Sequence, residues 1–72
     1  MHKVFSSKEI VAVLLREGFI FISQKGSHAK FRKRGSGGAV TTIVPMGKDE
    51  IPPGTLRSII RQSNLPWEIF LA

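Results

Sequence analysis

The sequence contains no cysteine, and only five of its 72 residues are acidic. Without cysteine the chain can form neither a disulfide framework nor a thiolate metal site, and it has no cysteine nucleophile. Its first apolar run, from Ile10 to Leu15, is six residues long. Such a run is too short for a signal peptide or a membrane span. These absences predict a soluble cytoplasmic protein with no membrane contact.

Positive charge is what the sequence has in excess. Eleven Lys and Arg residues leave a net charge of +6, and 42% apolar residues with five Phe provide for one packed domain over residues 1–72. A net charge of this size on a small protein gives a positive field that attracts polyanions. The excess of positive charge could also serve solubility alone. One stretch, residues 24–38, has five cations and no acid: Lys25, Lys30, Arg32, Lys33 and Arg34.

The first helix is predicted from about Lys8 to Glu17. Ser6 and Glu9 match a capping box, in which each side chain accepts a hydrogen bond from the backbone amide of the other residue. Gly18 is placed to end the helix in a left-handed conformation. Three apolar residues at helical spacing are predicted to face the core: Ile10, Leu14 and Leu15.

Three strands are predicted at residues 19–23, 28–34 and 40–44. The first is short, β-branched and aromatic, and the second alternates polar with less polar residues. Gly26 and Ser27 form the first turn, and residues 35–38 form a loose hairpin loop. A second helix follows Pro53, with Thr55 as its cap and Asn64 at its end. A terminal turn then closes the core with Trp67 and its apolar neighbours, or else it presents Trp67 as an exposed anchor for a partner protein.

The order α-β-β-β-α predicts a small α+β fold with a three-stranded antiparallel sheet. Two amphipathic helices bury most apolar surface if both pack on one face of that sheet. The other face is then open to solvent or to a ligand. Because side chains alternate along a strand, His28, Lys30 and Arg32 are predicted to share the open face.

A histidine on such a face can act on RNA. A neutral imidazole accepts a proton at physiological pH, and RNA carries its own nucleophile in the 2′-hydroxyl next to the scissile phosphate. Lys30 and Arg32 can balance the charge of the reacting phosphate, and the turn at Gly26 and Ser27 can bring backbone amides close to it. The scheme requires no metal and no cofactor. The alternative is a solvated basic face with an incidental histidine.

Two stretches resemble the HicA family of toxins: Gln24 to His28 followed by Phe31, and Pro53 to Gln62. The flanking order is also similar. A Ser-Lys-Glu-Ile helix start comes first, a Gly-Phe pair enters the first strand, and Val44-Pro45 ends the third. The resemblance covers nearly the whole chain.

The resemblance implies a fold like that of double-stranded-RNA-binding domains and an endoribonuclease that cleaves single-stranded messenger RNA. It implies that His28 is the catalytic base or acid. It also implies a HicB-like antitoxin that covers the His28 face, with operator DNA bound only through that antitoxin. The residues expected to bind RNA phosphates are Lys25, Gly26, Ser27, Lys30, Arg32 and Arg57.

The chain lacks the second histidine of the family pattern. Many members carry one shortly after the first, or after the Val-Pro that ends the third strand. Here those places hold Ala29, Lys30 and residues 46–49. The acid that protonates the leaving oxygen is therefore open among five candidates: Lys25, Lys30, Lys48, water, or His28 acting twice. A non-catalytic RNA-binding module and a degenerate toxin that only binds its antitoxin stay as alternatives.

Overall fold

Two helices and a three-stranded sheet follow one another in the predicted order. The structure, a computed structural model, describes residues 4–71. Its elements are α1 Ser7–Arg16, β1 Ile20–Lys25, β2 His28–Gly35, β3 Gly38–Pro45, α2 Pro53–Ser63 and a C-terminal 3-10 helix, Trp67–Leu71. The strands pair antiparallel in the order β1-β2-β3. The predicted α+β fold, similar to double-stranded-RNA-binding domains, is confirmed.

Local capping chemistry fixes both ends of α1. The Ser6 amide donates to Glu9 Oε1 at 2.9 Å, and the Glu9 amide donates to Ser6 Oγ at 3.1 Å. At the other end Gly18 has a φ of +96°, and the Phe19 amide donates to the Leu14 carbonyl at 2.9 Å. This bond, which joins residues five positions apart, is characteristic of a Schellman motif. Both predicted caps are confirmed, and the helix lies one residue earlier than predicted.

The buried stripe of α1 differs from the predicted one. Ile10, Val13 and Leu14 are buried, at the i, i+3, i+4 spacing of one helix face. Leu15 is 52% exposed. The prediction that Leu15 faces the core is therefore wrong, because Val13 occupies the side of the helix that packs on the sheet.

The strands are longer than predicted. Gly35 pairs with Gly38, so the β2–β3 turn has two residues rather than the predicted loop of four. Gly38 has a φ of +113°, which glycine adopts without strain. β1 runs on to Lys25 and carries a bulge at Ile22, where the register to β2 shifts.

Both helices pack on one face of the sheet, as predicted. Ala29, Phe31 and Val44 line this face and are at most 2% exposed. Thr42 is also buried there, and its hydroxyl lies 3.2 Å from Gln62 Oε1 on α2. The helices therefore leave the opposite face of β2 and β3 uncovered, and we call it the open face.

The C-terminal third of the chain confirms one predicted cap and contradicts two other predictions. Asn64 ends α2 with a φ of 59°, as predicted. The N-cap position is Pro52, without a side-chain hydrogen bond, so Thr55 is not the cap. Phe70 is buried at 2% exposure, whereas Trp67 is 48% exposed. Phe70, and not Trp67, closes the core.

Candidate active site

His28 is the first residue of β2, and its side chain is exposed. Lys25 on β1 and Pro45 on β3 are its direct partners in the sheet. In the described part of the chain, the imidazole forms no hydrogen bond or ion pair. The prediction that His28 is not buried is confirmed. Its ring nitrogens are available to a ligand.

A tight turn sets the position of His28. Gly26 has a φ of +59° while Ser27 keeps a negative φ, which is the pattern of a type II′ hairpin turn. Gln24 Nε2 donates to the Gly26 carbonyl at 3.0 Å, and the Met46 amide donates to the Ser27 carbonyl at 2.6 Å. No atom lies within 4 Å of where a Gly26 Cβ would be. The outer surface of the turn is therefore open to a ligand.

A row of side chains continues from His28 along the open face of β2. We call the following alternate positions the open-face row: His28, Lys30, Arg32 and Arg34. Arg32 is half-buried, and its Nε donates to Thr41 Oγ1 on β3 at 3.2 Å. This bond orients the guanidinium and leaves its terminal nitrogens for a ligand.

Lys25 is the cation that pairs directly with His28 across β1 and β2. Direct partners in an antiparallel pair have Cβ atoms about 4.5–5.5 Å apart, and Lys25 is such a partner. Lys30 is two residues further along β2, a step of about 7 Å. Sequence spacing did not single out Lys25, because the pairing depends on the length of the turn at Gly26 and Ser27.

The sheet contains no acidic residue at all. The sequence has none between Glu17 and Asp49, a range that includes β1, β2 and β3. The ion pair between Arg16 Nε and Glu17 Oε2, at 3.8 Å, lies at the end of α1. No strand residue therefore neutralises the cations of the open face, and their field extends into solvent.

Two of the cations that the sequence analysis names, Lys33 and Arg57, lie away from this face. The stem of Lys33 is close to the end of α1, because its Cε is 3.4 Å from where a Gly18 Cβ would be. Arg57 is exposed on α2, in the helical layer. The structure thus brings together the predicted residues of β1, β2 and their turn, and it places Arg57 in the other layer.

The segment that carries Lys48, one of the candidate acids, begins at Pro45 and is held in place by Ser7. The Ser7 hydroxyl donates to the Pro45 carbonyl and accepts from the Lys48 amide at 3.0 Å. The Ser7 amide in turn donates to the Lys48 carbonyl at 2.9 Å. Buried Ser7 therefore anchors residues 45–48 at the end of the sheet where His28 lies. No pattern in the sequence predicts this contact between Ser7 and residues 45–48.

Two kinds of feature are absent from residues 4–71. No group of three or more His, Cys, Asp or Glu side chains is arranged to hold a metal ion. No helix in that range combines the length and the apolar character needed to cross a bilayer.

Comparison with models of known protein families identifies the family of this chain. The family model described as "HicA toxin of bacterial toxin-antitoxin" matches residues 7–65. The matched range includes α1, the whole sheet and α2, and so every predicted site residue. No curated protein matches the chain. Because the match spans well over half of the 72 residues, the chain belongs to the HicA family of toxins from bacterial toxin–antitoxin systems.

Proposed function

We propose that this toxin of a type II toxin–antitoxin system is an endoribonuclease that cleaves single-stranded messenger RNA without a metal ion. His28 is its general base. The observation that carries the proposal is an exposed, unpaired imidazole directly opposite Lys25, on a sheet that has no acidic residue. Messenger RNA as the substrate implies action in the cytoplasm.

The proposed reaction uses the nucleophile that RNA itself carries. His28 removes the proton of the 2′-hydroxyl, and the 2′-oxygen forms a bond to the adjacent phosphorus. The bond between phosphorus and the 5′-oxygen then breaks, and that oxygen takes up a proton. The products are a 2′,3′-cyclic phosphate on one fragment and a free 5′-hydroxyl on the other. A base, an acid and charge stabilisation suffice for this chemistry.

Lys25 is the protonating group that the register favours. It lies across from His28, so that with a phosphate bound between the two, His28 can take the proton of the 2′-hydroxyl and Lys25 can give a proton to the leaving 5′-oxygen. Lys30 lies a step further along the strand, and Lys48 lies on the segment that Ser7 anchors. Water and His28 itself complete the candidates. A lysine ammonium also offers positive charge to the reacting phosphate.

The turn before His28 offers further contacts to the phosphate. The amides of Gly26 and Ser27 donate to no acceptor within the described range of 4–71. Successive free amides in a turn form a concave site for an anion. We assign these amides, with Lys30 and Arg32, to binding the phosphates around the scissile bond.

The purified toxin is expected to cleave single-stranded RNA in excess EDTA. The reason is that the 2′-hydroxyl and His28 replace the metal-bound water of a hydrolytic nuclease. The fragments should carry cyclic phosphate and 5′-hydroxyl ends. Gel electrophoresis, with and without phosphatase or kinase treatment of the ends, measures both outcomes.

Two results would contradict this expectation in different ways. Cleavage that stops in EDTA, or that leaves a 5′-phosphate, would point to a metal-activated water. Binding of RNA without any cleavage would favour the non-catalytic RNA-binding module. Raising the salt concentration weakens RNA binding in either case and cannot separate them.

The antitoxin partner that the family implies is proposed to be HicB-like and to cover the His28 face. An acidic surface would offset the positive field of this face. β1 lies beside it, and Ile20, the direct partner of Arg32, is 61% exposed, which offers apolar contact next to the charged residues. Any binding to operator DNA is assigned to the antitoxin.

Co-expression of the protein encoded beside the toxin gene is expected to prevent growth arrest, and the purified complex is expected to leave RNA intact. Titration of the antitoxin into the toxin with labelled RNA should release the RNA, measured by fluorescence anisotropy. A complex that still binds and cleaves RNA would show that the antitoxin docks elsewhere.

A further inference from the structure

A shallow depression lies at the far end of the open-face row from His28. Its volume is about 250 Å³, and its lining is formed by Arg32, Arg34, Gly35, Gly38 and Ala39. Gly35 and Gly38 are direct partners across β2 and β3, and Ala39 is the partner of Arg34. The floor is therefore backbone and one methyl group, and the two guanidinium groups supply the charge.

No residue within 4–71 forms an ion pair with either of the two arginines at this depression. Thr41 Oγ1 accepts from Arg32 Nε and leaves the terminal nitrogens of that guanidinium unused. Arg34 is exposed and, among the residues that the structure describes, has neither a hydrogen bond from its side chain nor an ion pair. Like charges in neighbouring row positions repel one another. A bound anion between them relieves that repulsion, and the planar guanidinium fork matches phosphate oxygens.

The spacing of the row suits a nucleic-acid backbone. Alternate residues of a strand are about 7 Å apart, which is close to the step between successive phosphates of an extended single strand. Four row positions therefore offer one side chain for each of four successive phosphates. With the scissile phosphate at His28, the next three fall at Lys30, Arg32 and Arg34.

We propose that the depression at the β2–β3 hairpin is a phosphate subsite for single-stranded RNA, three phosphates away from the bond that is cut. The RNA backbone runs along β2, and Arg34 binds its distal end. Only the distance to the cut rests on the proposed nuclease function. The binding of a single-strand phosphate at Arg34 does not.

Two oligonucleotides of different length test the proposed distance between Arg34 and the cleaved bond. Each contains one ribonucleotide in a deoxyribonucleotide chain, so that a single bond can be cleaved. The long substrate has about five nucleotides on each side, and the short one has a single nucleotide on each side. Arg34→Gln is expected to reduce kcat/KM on the long substrate by about fivefold to twentyfold, chiefly through KM. The loss should shrink as the flanks shorten, because a short substrate does not reach Arg34.

Lys8→Gln on α1 is the matched control, since it removes the same charge from the exposed surface of the helical layer. It is expected to change cleavage of neither substrate. Equal losses on long and short substrates with Arg34→Gln, or no loss on either, would overturn the proposed subsite while leaving the nuclease function intact.

The all-deoxy form of the long oligonucleotide cannot be cleaved, so its binding measures the contribution of the subsite without catalysis. Arg34→Gln is expected to lower the slope of log Kd against log salt by about 0.7, the value for one phosphate contact of a single strand. Lys8→Gln should leave that slope unchanged. If the toxin binds with this dependence on Arg34 but never cleaves, the nuclease proposal fails and the subsite stands. If the slope of log Kd against log salt is unchanged in Arg34→Gln, the proposed subsite is wrong.

Discussion

Replacing His28 with alanine is expected to abolish both RNA cleavage and growth arrest while the fold survives. The imidazole is exposed and has no partner within the described residues, so its removal leaves no buried group unpaired. Loss of a general base lowers the rate by about 100-fold to 10,000-fold. Initial rates on labelled single-stranded RNA measure the effect, and the viability of cells that express the toxin alone measures its consequence.

The fold and the RNA affinity of His28→Ala serve as internal controls. Because β2 is held by backbone pairing to β1 and β3, the unfolding midpoint in urea should change little. RNA binding and its salt dependence should also persist, since the cations of the face are untouched. A variant that is folded, binds RNA and does not cleave would separate chemistry from binding.

Other outcomes would identify other mechanisms. A folded His28→Ala variant that still cleaves would direct attention to Lys30 as the base, or to a bound metal that EDTA can remove. A wild-type toxin that neither cleaves nor arrests growth, yet binds its antitoxin, would match a degenerate toxin. The residues at the places of the second histidine, Ala29, Lys30 and residues 46–49, include no histidine, so the degenerate toxin is an alternative that this experiment tests.

Elements that depend on local chemistry could be predicted from the sequence. The capping box of Ser6 and Glu9, the left-handed Gly18 and the left-handed Asn64 each satisfy their bonds within a few residues. The register between paired strands decided the rest. The pairing of Gly35 with Gly38 and the bulge at Ile22 depend on partner strands, and a single segment does not reveal them.

The candidate site was predictable in part for the same reason. Alternation along β2 places His28 and Arg32 on one face once Phe31 is assigned to the core. The position of Lys25 opposite His28 requires the register of the hairpin, and the depression beside Arg34 requires both strands. Patterns within one strand thus gave the direction of side chains, but tertiary pairing determined which of them meet.

Phe31→Ala is expected to lower the free energy of unfolding by about 3 to 5 kcal/mol. Phe31 is 2% exposed and lies on β2 between Lys30 and Arg32. Its ring packs edge-on against Phe21, with centroids 5.9 Å apart. A chain of this size has a total stability of only about 4 to 11 kcal/mol. Urea denaturation followed by tryptophan fluorescence measures the loss, and cleavage should fail at temperatures where the variant unfolds.

Phe21→Ala is the matched control for Phe31→Ala, because the two residues are direct partners across β1 and β2. Phe21 is 53% exposed, so its removal should cost only about 1 kcal/mol, part of it from the lost ring contact. The two substitutions delete the same atoms from the same strand pair and differ in burial. Equal losses would mean that the core beneath the open-face row does not hold β2 in place. A larger loss for Phe31, with cleavage recovered on cooling, would show that the buried ring acts through the stability of β2, the strand that carries Lys30 and Arg32.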